Sequence, residues 1–189
     1  DRHGALLIFD EIPHALGRTG TMFTCENFGV VPDILVIGKG LGGGILPLAG
    51  IIAREGLDVA GDRALGHYTH EKNPVLCAAA LATINYIQSH NLLEHSRTLG
   101  QRAMKRMQDM QSRHQAIGDV RGLGLLMGIE LVRDRTTRER ATDEADAIMY
   151  LALSKGLSFK LSMGNILTLT PPLTITAEEL DGAFDIIEA

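Results

Sequence analysis

Cysteine, basic charge and long apolar runs are all scarce in this sequence, and each scarcity argues against a class of protein. The two cysteines among 189 residues, Cys25 and Cys77, cannot build a disulfide framework. They favour reduced, buried thiols, although one bridge between them stays open. The net charge of −5 provides no basic surface for nucleic acid. No apolar run is as long as a membrane span, so a cytoplasmic protein is expected.

Apolar runs of strand length are present near the start of the chain. Hydrophobic residues make up 45% of the sequence, which is typical of a globular protein. The continuous apolar runs 5–9 and 34–37 are typical of strands buried on both faces of a parallel sheet. The Ala- and Leu-rich segment 75–87 is apolar nearly all round and predicts a buried helix. A longer amphipathic helix is predicted over 92–114.

The second half alternates short strand and helix patterns. The segment 118–124 is rich in glycine and predicts a turn, and the apolar run 125–131 after it predicts a strand. Thr176 followed by Ala-Glu-Glu predicts a capped final helix. We therefore expect part of a larger domain over 1–114 and a small domain over 115–189.

The most informative residue is Lys39, in a glycine-rich segment directly after the second apolar run. The first apolar run ends in Asp10 and Glu11. One strand thus delivers a carboxylate and the next an amine. These are the groups that a protein must supply to use pyridoxal phosphate (PLP): an amine for a Schiff base and an acid for the pyridine nitrogen.

Two simpler interpretations compete with this one. Taken alone, Asp10 is better explained as a strand-end carboxylate that caps a turn, and only its pairing with Lys39 favours a function. Lys39 is also a candidate for gripping a nucleotide phosphate. In that motif, however, the lysine follows the glycines, whereas here it precedes Gly40, Gly42, Gly43 and Gly44.

Several further strings occur in a fixed order along the chain, and together they carry a resemblance. From Ala5 onward the sequence resembles the class III aminotransferases, which are fold type I PLP enzymes. The resemblance implies an α/β fold: the C-terminal portion of a large domain, with a mostly parallel sheet and helices, plus a small α+β domain. The strings are Leu7–Glu11, Gly17–Gly20, Pro32–Leu35, Gly38–Gly44, Asn73–Pro74, Gly118–Gly122 and Pro171–Thr174.

The same resemblance implies roles for three residues. Asp10 would pair with the pyridine nitrogen, and Lys39 would form the Schiff base and carry a proton at the substrate carbon. Thr69 matches the family threonine that reaches the PLP phosphate of the neighbouring subunit. The implied enzyme is a cytoplasmic homodimer with shared active sites that takes the amino group from a primary amine.

Two positions depart from the family pattern. The family usually has a glutamine near the cofactor's phenolic oxygen where this chain has Pro13, and the adjacent His14 is the candidate replacement. Many members that bind an α-carboxylate have an arginine where this chain has Thr168. A guanidinium binds a carboxylate through two hydrogen bonds, which threonine cannot do. The anionic group of the substrate is therefore absent, different or held elsewhere.

Two strings resemble a particular subgroup, the ammonia-lyases that act on 1-hydroxy-2-aminoethylphosphonate. They are Asp10–Pro13 and Tyr68–Pro74. A hydroxyl beside the reacting carbon allows elimination in place of amine transfer, so a lyase is the alternative function. Arg18 and Lys160 are the candidates for contacting a phosphonate.

The resemblance begins at the first residues, and the family's earlier segment has no counterpart here. That segment supplies a phosphate-binding loop and the aromatic residue that stacks on the pyridine ring. The chain is therefore expected to be part of a longer one. A third hypothesis is that the chain alone is inactive and acts only as an interaction module.

Overall fold

The computed structural model describes residues 2–63, 66 and 69–189. Within these residues, no helix is both long enough and apolar enough to cross a bilayer. The domain assignment 1–114 and 115–189 stays a prediction. By compactness the chain divides into two units, the first containing Asp1–Gly17 and Thr21–Leu93, the second Arg18–Gly20 and Glu94–Ala189.

The first unit contains a three-stranded sheet and one long helix. Its elements are β1 (Ile8–Asp10), β2 (Ile34–Ile37), β3 (Gly50–Ala53) and α1 (Pro74–Ser89). The sheet order is β1-β2-β3, with β1 parallel and β3 antiparallel to β2. The strand predicted at 34–37 is confirmed, and Leu35 and Ile37 are buried. The expectation of burial on both faces fails for β1, where the Ile8 side chain is exposed.

Helix α1 begins where its sequence predicts but is less buried than expected. Asn73 caps it by accepting the Val75 N–H at 2.9 Å, and Pro74 occupies the first turn, where its missing N–H is not needed. Only Ala80 and Ile87 are buried. The prediction of a helix buried all round is wrong for this chain, because the first unit covers only one side of α1.

The second unit is built around an antiparallel sheet. The sheet order is β4-β5-β8-β7, and β6 pairs with β5. Its elements are α2 (Leu92–Arg113, whose first two residues belong to the first unit), β4 (Ile117–Leu123), β5 (Leu126–Asp134), β6 (Glu139–Arg140), α3 (Thr142–Ser154), β7 (Lys160–Ser162), β8 (Ile166–Leu169) and α4 (Ala177–Glu188).

The glycine-rich segment 118–124 is mostly a strand, which corrects the prediction of a turn. Its residues form most of β4 and pair with β5 through residue 123. Gly118 is needed there for close packing, because a Cβ at this position would lie 2.7 Å from Val132 Cγ2.

The core of the second unit lies on one face of its sheet. Met107 of α2, Ile129 of β5, Leu167 of β8 and Phe184 of α4 all belong to this buried cluster. Helix α4 begins with the predicted cap at Thr176. The Glu179 carboxylate accepts the Thr176 N–H at 2.8 Å and the Thr176 hydroxyl at 3.0 Å, and these bonds lower the pKa of that carboxyl.

The two cysteines are free, so the bridge that the sequence left open is not formed. Cys25 is buried as expected, and Cys77 is exposed, contrary to expectation. Burial and the neighbouring Glu11 carboxylate both raise the pKa of the Cys25 thiol. Cys25 is therefore an unreactive packing residue.

A glycine contact between α2 and the β4–β5 turn predicts a large effect on stability. A Cβ at Gly100 would overlap the backbone of Gly124, which has φ +55°. Because backbone cannot rotate aside, we expect Gly100→Ala to lower the free energy of unfolding by about 3 kcal/mol. The matched control is Gly182→Ala in α4, where a Cβ has open space and should stabilise by roughly 0.5–1 kcal/mol. Denaturant unfolding measures both, and equal effects would contradict the packing argument.

Candidate functional site

Asp10 and Lys39 lie at the same edge of the sheet in the first unit. Asp10 is the last residue of β1 and pairs in register with Val36 of β2. Lys39 follows Val36 by three residues. Because β1 and β2 are parallel, their carboxyl ends share one edge, the edge at which open α/β sheets bind ligands. Adjacent strands are about 4.8 Å apart, so the two residues are close enough to serve one ligand.

The Asp10 carboxylate is exposed and only partly used within the protein. Its Oδ1 accepts the Ile12 N–H at 3.1 Å, which fixes the turn after β1. Its Oδ2 has no hydrogen-bond partner among the described residues. That oxygen can accept a hydrogen bond from a protonated ring nitrogen, and a negative charge there keeps such a nitrogen protonated.

Lys39 has a backbone conformation that glycine normally adopts. It is exposed and has φ +45°. A lysine at positive φ costs free energy that a glycine would avoid, so its side chain is a candidate for function. Lys39 opens a four-residue 3₁₀ turn, Lys39–Gly42. A phosphate-gripping lysine would instead open an α-helix, which argues against the nucleotide hypothesis.

The loop that contains Lys39 has close neighbours on both sides, and glycine is required at Gly43. A Cβ at Gly38 would lie 3.4 Å from both Ala49 Cβ and Ile12 Cγ2. Gly43 has φ +70°, and a Cβ there would lie 3.1 Å from Thr83 Oγ1 of α1. The loop is therefore packed between helix α1 and the turn after β1. This packing fixes the position of the Lys39 backbone.

Glu11 is a structural residue whose role its sequence position did not predict. Its side chain is 1% exposed. It accepts the N–H of Thr24 at 2.6 Å and of Cys25 at 2.7 Å. Two backbone donors offset the cost of burying this carboxylate. The only sequence signal for this role is the position of Glu11 directly after the aspartate that ends the strand.

His14 is connected to the same loop through Thr24. The Thr24 hydroxyl donates to the His14 carbonyl oxygen at 2.9 Å, and its oxygen lies 3.0 Å from His14 Nδ1. Thr24 therefore holds both the backbone and the ring of His14. Its role at the cofactor stays a prediction.

Arg18 belongs to the second unit and is anchored there. Its Nη1 donates to the carbonyl oxygens of Leu125, at 3.4 Å, and of Pro171. Burial lowers the pKa of its guanidinium, and no carboxylate pairs with it among the described residues. Through its hydrogen bond to the Pro171 carbonyl oxygen, Arg18 anchors the loop after β8. Its contact with substrate stays a prediction.

Lys160 and Thr168 are brought together by strand pairing in the second unit. They are directly opposite each other on β7 and β8, so their side chains lie on the same face. The Thr168 hydroxyl donates to Ser162 Oγ at 2.7 Å. Both substrate candidates of the β7–β8 pair therefore lie in one polar patch.

Thr69 is exposed, close to the start of α1. Its role at the phosphate of a neighbouring subunit stays a prediction. Tyr68, which opens one of the strings that resemble the lyase subgroup, lies outside the described residues.

Comparison with known proteins gives consistent matches over the whole chain. A family model described as aminotransferase class-III matches residues 1–189. The (R)-1-hydroxy-2-aminoethylphosphonate ammonia-lyase of Vibrio splendidus is 47% identical over 188 residues, covering 100% of this chain and 39% of the relative. The leucine/methionine racemase of Thermococcus litoralis is 46% identical over 190 residues, covering 100% of this chain and 42% of the relative.

Solved structures agree with the sequence matches. An aminotransferase of Bacillus anthracis superposes with a TM-score of 0.92 at 34% identity, covering 99% of this chain and 44% of that chain. The chain thus spans about two fifths of the length of the proteins it matches. The predicted α/β fold is confirmed as part of the transaminase fold.

Proposed function

This chain belongs to the class III aminotransferase family, and we propose that the enzyme it forms uses PLP to process a primary amine. The observation that carries the proposal is the placement of Asp10 and Lys39 at the shared carboxyl edge of β1 and β2. When bound, PLP supplies a ring that withdraws electrons from the carbon bearing the amine.

Two residues of the chain, Lys39 and Asp10, would contact that cofactor in different ways. Lys39 would hold it covalently through Nζ, and Asp10 would hold its ring nitrogen through Oδ2, which no described residue contacts by a hydrogen bond. Once the substrate amine has displaced it, Lys39 Nζ would move the proton at the carbon that bears nitrogen. The exposed, ion-pair-free position of Lys39 within the described chain supports this role.

The resulting reaction has two candidate outcomes. Transfer of the amine to a keto acid is the family activity. Release of ammonia from a hydroxylated aminoethylphosphonate is the second candidate, favoured by the 47% identity to the Vibrio splendidus lyase and by Thr168 in place of an arginine. In that case the hydroxyl leaves as water, the amine leaves as ammonia, and one water is taken up. An aldehyde remains, and no keto acid is consumed.

Product analysis distinguishes the two outcomes. The PLP-loaded enzyme is incubated with 1-hydroxy-2-aminoethylphosphonate alone, and separately with primary amines plus pyruvate or 2-oxoglutarate. We expect ammonia and aldehyde in equal amounts without keto acid. Turnover that requires a keto acid and releases no ammonia would contradict the lyase and support amine transfer. No spectral response to any amine would contradict both and favour the interaction-module hypothesis.

The assembly and location of the enzyme belong to the same proposal. If Thr69 contacts the phosphate of a neighbouring subunit, the active sites are shared in a homodimer. Sedimentation of the PLP-loaded enzyme tests that assembly. We also place the enzyme in the cytoplasm, because a reducing compartment favours the two free cysteines.

A further inference from the structure

The sheet of the second unit has one apolar and one polar face. Met127, Ile129 and Leu167 point into the core. The opposite face carries a row of residues paired directly across all four strands of the main sheet. This row runs Arg121–Gly128–Thr168–Lys160, from β4 through β5 and β8 to β7.

The two cations at the ends of this row differ in their surroundings. Arg121 Nη1 lies 2.5 Å from Asp119 Oδ2 and 2.7 Å from Glu130 Oε2, so two carboxylates outweigh its charge. Lys160 is exposed and has no carboxylate partner within the described part of the chain. The β4 end of the face therefore repels an anion, and the β7 end attracts one.

Two hydroxyl groups lie beside Lys160 on the same face. Thr168 is its cross-strand partner, and Ser162 is two residues further along β7. Because Thr168 donates its proton to Ser162 Oγ, the Ser162 proton has no acceptor among the described residues. An ammonium group and a hydroxyl donor are thus available together, next to Thr168, the position at which the resemblance implies an arginine in many carboxylate-binding members.

We propose that Lys160, Ser162 and Thr168 of the second unit form a binding site for an anionic group, and that this group is tetrahedral: a phosphonate or a phosphate monoester. That the bound group belongs to the amine substrate rests on the proposed function. Lys160 takes over the charge that an arginine at position 168 would carry, from the neighbouring strand.

Donor geometry favours a tetrahedral anion over a carboxylate. A planar guanidinium matches the two coplanar oxygens of a carboxylate, and a lysine binds phosphate-type groups as a point charge. Lys160 and Ser162 stand on the same strand two residues apart, a separation of about 7 Å between their Cα atoms. Donors spread over that distance contact different oxygens of a three-oxygen group.

The test compares four amines that share a 2-aminoethyl skeleton and carry a phosphonate, a phosphate ester, a carboxylate or no anionic group. The PLP-loaded enzyme is titrated with 1-hydroxy-2-aminoethylphosphonate, O-phosphoethanolamine, the carboxylate analogue 3-amino-2-hydroxypropanoate and the neutral ethanolamine. Cofactor absorbance reports binding even without turnover. The variants are Lys160→Gln, Lys160→Arg and Ser162→Ala. Lys155→Gln, an exposed lysine at the end of α3, is the matched control.

We expect Lys160→Gln to weaken phosphonate or phosphate binding roughly 10–100-fold. Ser162→Ala should weaken it about 5-fold, Lys160→Arg should restore part of the loss, and Lys155→Gln should change nothing. Ethanolamine should respond equally in all proteins. Tighter binding of the phosphonate or of the phosphate ester by the wild-type enzyme shows which of the two groups the substrate carries.

Three results would overturn the assignment in different ways. Unchanged phosphonate and phosphate affinity in Lys160→Gln would remove the subsite while leaving the proposed function intact. Equal losses for the carboxylate analogue would remove the preference for a tetrahedral group. If the wild-type enzyme responds to no amine, the proposed function itself fails and the subsite fails with it.

Discussion

Replacement of Lys39 by glycine is expected to lower turnover more than about 10³-fold while leaving the fold intact. The reason is that Lys39 supplies both the covalent link to the cofactor and the base at the reacting carbon. Glycine removes the amine but accepts φ +45° without strain. Lys39→Gly therefore separates loss of chemistry from loss of structure better than alanine would.

The measurement combines turnover with attachment of the cofactor. After borohydride reduction, wild-type protein should carry PLP on the peptide that contains Lys39, and Lys39→Gly should not. Lys72→Gly is the matched control, because Lys72 is also exposed and has φ +56°. It should keep full turnover. Wild-type levels of activity or of covalent cofactor in Lys39→Gly would refute the assignment.

The parts of the fold that follow local rules could be predicted from the sequence. The apolar run at 34–37 is β2, and Thr176 with Glu179 caps α4 as its spacing indicates. The glycine-rich segment 118–124 was wrongly predicted as a turn, because glycine occurs both in turns and where neighbouring strands pack closely. At Gly118 it makes room for Val132 of the neighbouring strand, a contact that only the tertiary pairing reveals.

Burial was the least predictable property, because it depends on what the rest of the molecule covers. The composition of α1 predicts a buried helix, yet Val75 and Leu81 are 65% and 61% exposed. In the chain described here, no other element covers that side of α1. Composition therefore predicts the helix but not which of its sides are covered.

The placement of a candidate residue was predictable where that residue stands at the end of an apolar run. Asp10 is the last residue of β1 and Lys39 lies two residues beyond β2, so the parallel pairing of these strands brings both residues to one edge of the sheet. The partnership of Lys160 with Thr168 depends instead on the register of β7 and β8. Spacing alone does not fix that register, because a shift of one residue would place them on opposite faces.

Asp10→Asn is the second change with a large expected effect, a loss of roughly 10²–10³-fold in turnover. Asparagine keeps an oxygen that can accept the Ile12 N–H, so the turn after β1 should be retained. It removes the negative charge that keeps a ring nitrogen protonated. The cofactor would then remain attached at Lys39 but withdraw electrons poorly from the substrate carbon.

Cofactor occupancy, turnover and thermal unfolding together test this prediction. We expect Asp10→Asn to bind PLP covalently and to unfold at the wild-type temperature, with the defect confined to the rate of proton removal. Asp58→Asn is the control, because Asp58 is an exposed carboxylate in the same unit. A deuterated substrate carbon should give a larger isotope effect in Asp10→Asn than in wild type, because the proton step becomes slower. Wild-type turnover, or an equal loss in Asp58→Asn, would show that the Asp10 charge does not act on the cofactor.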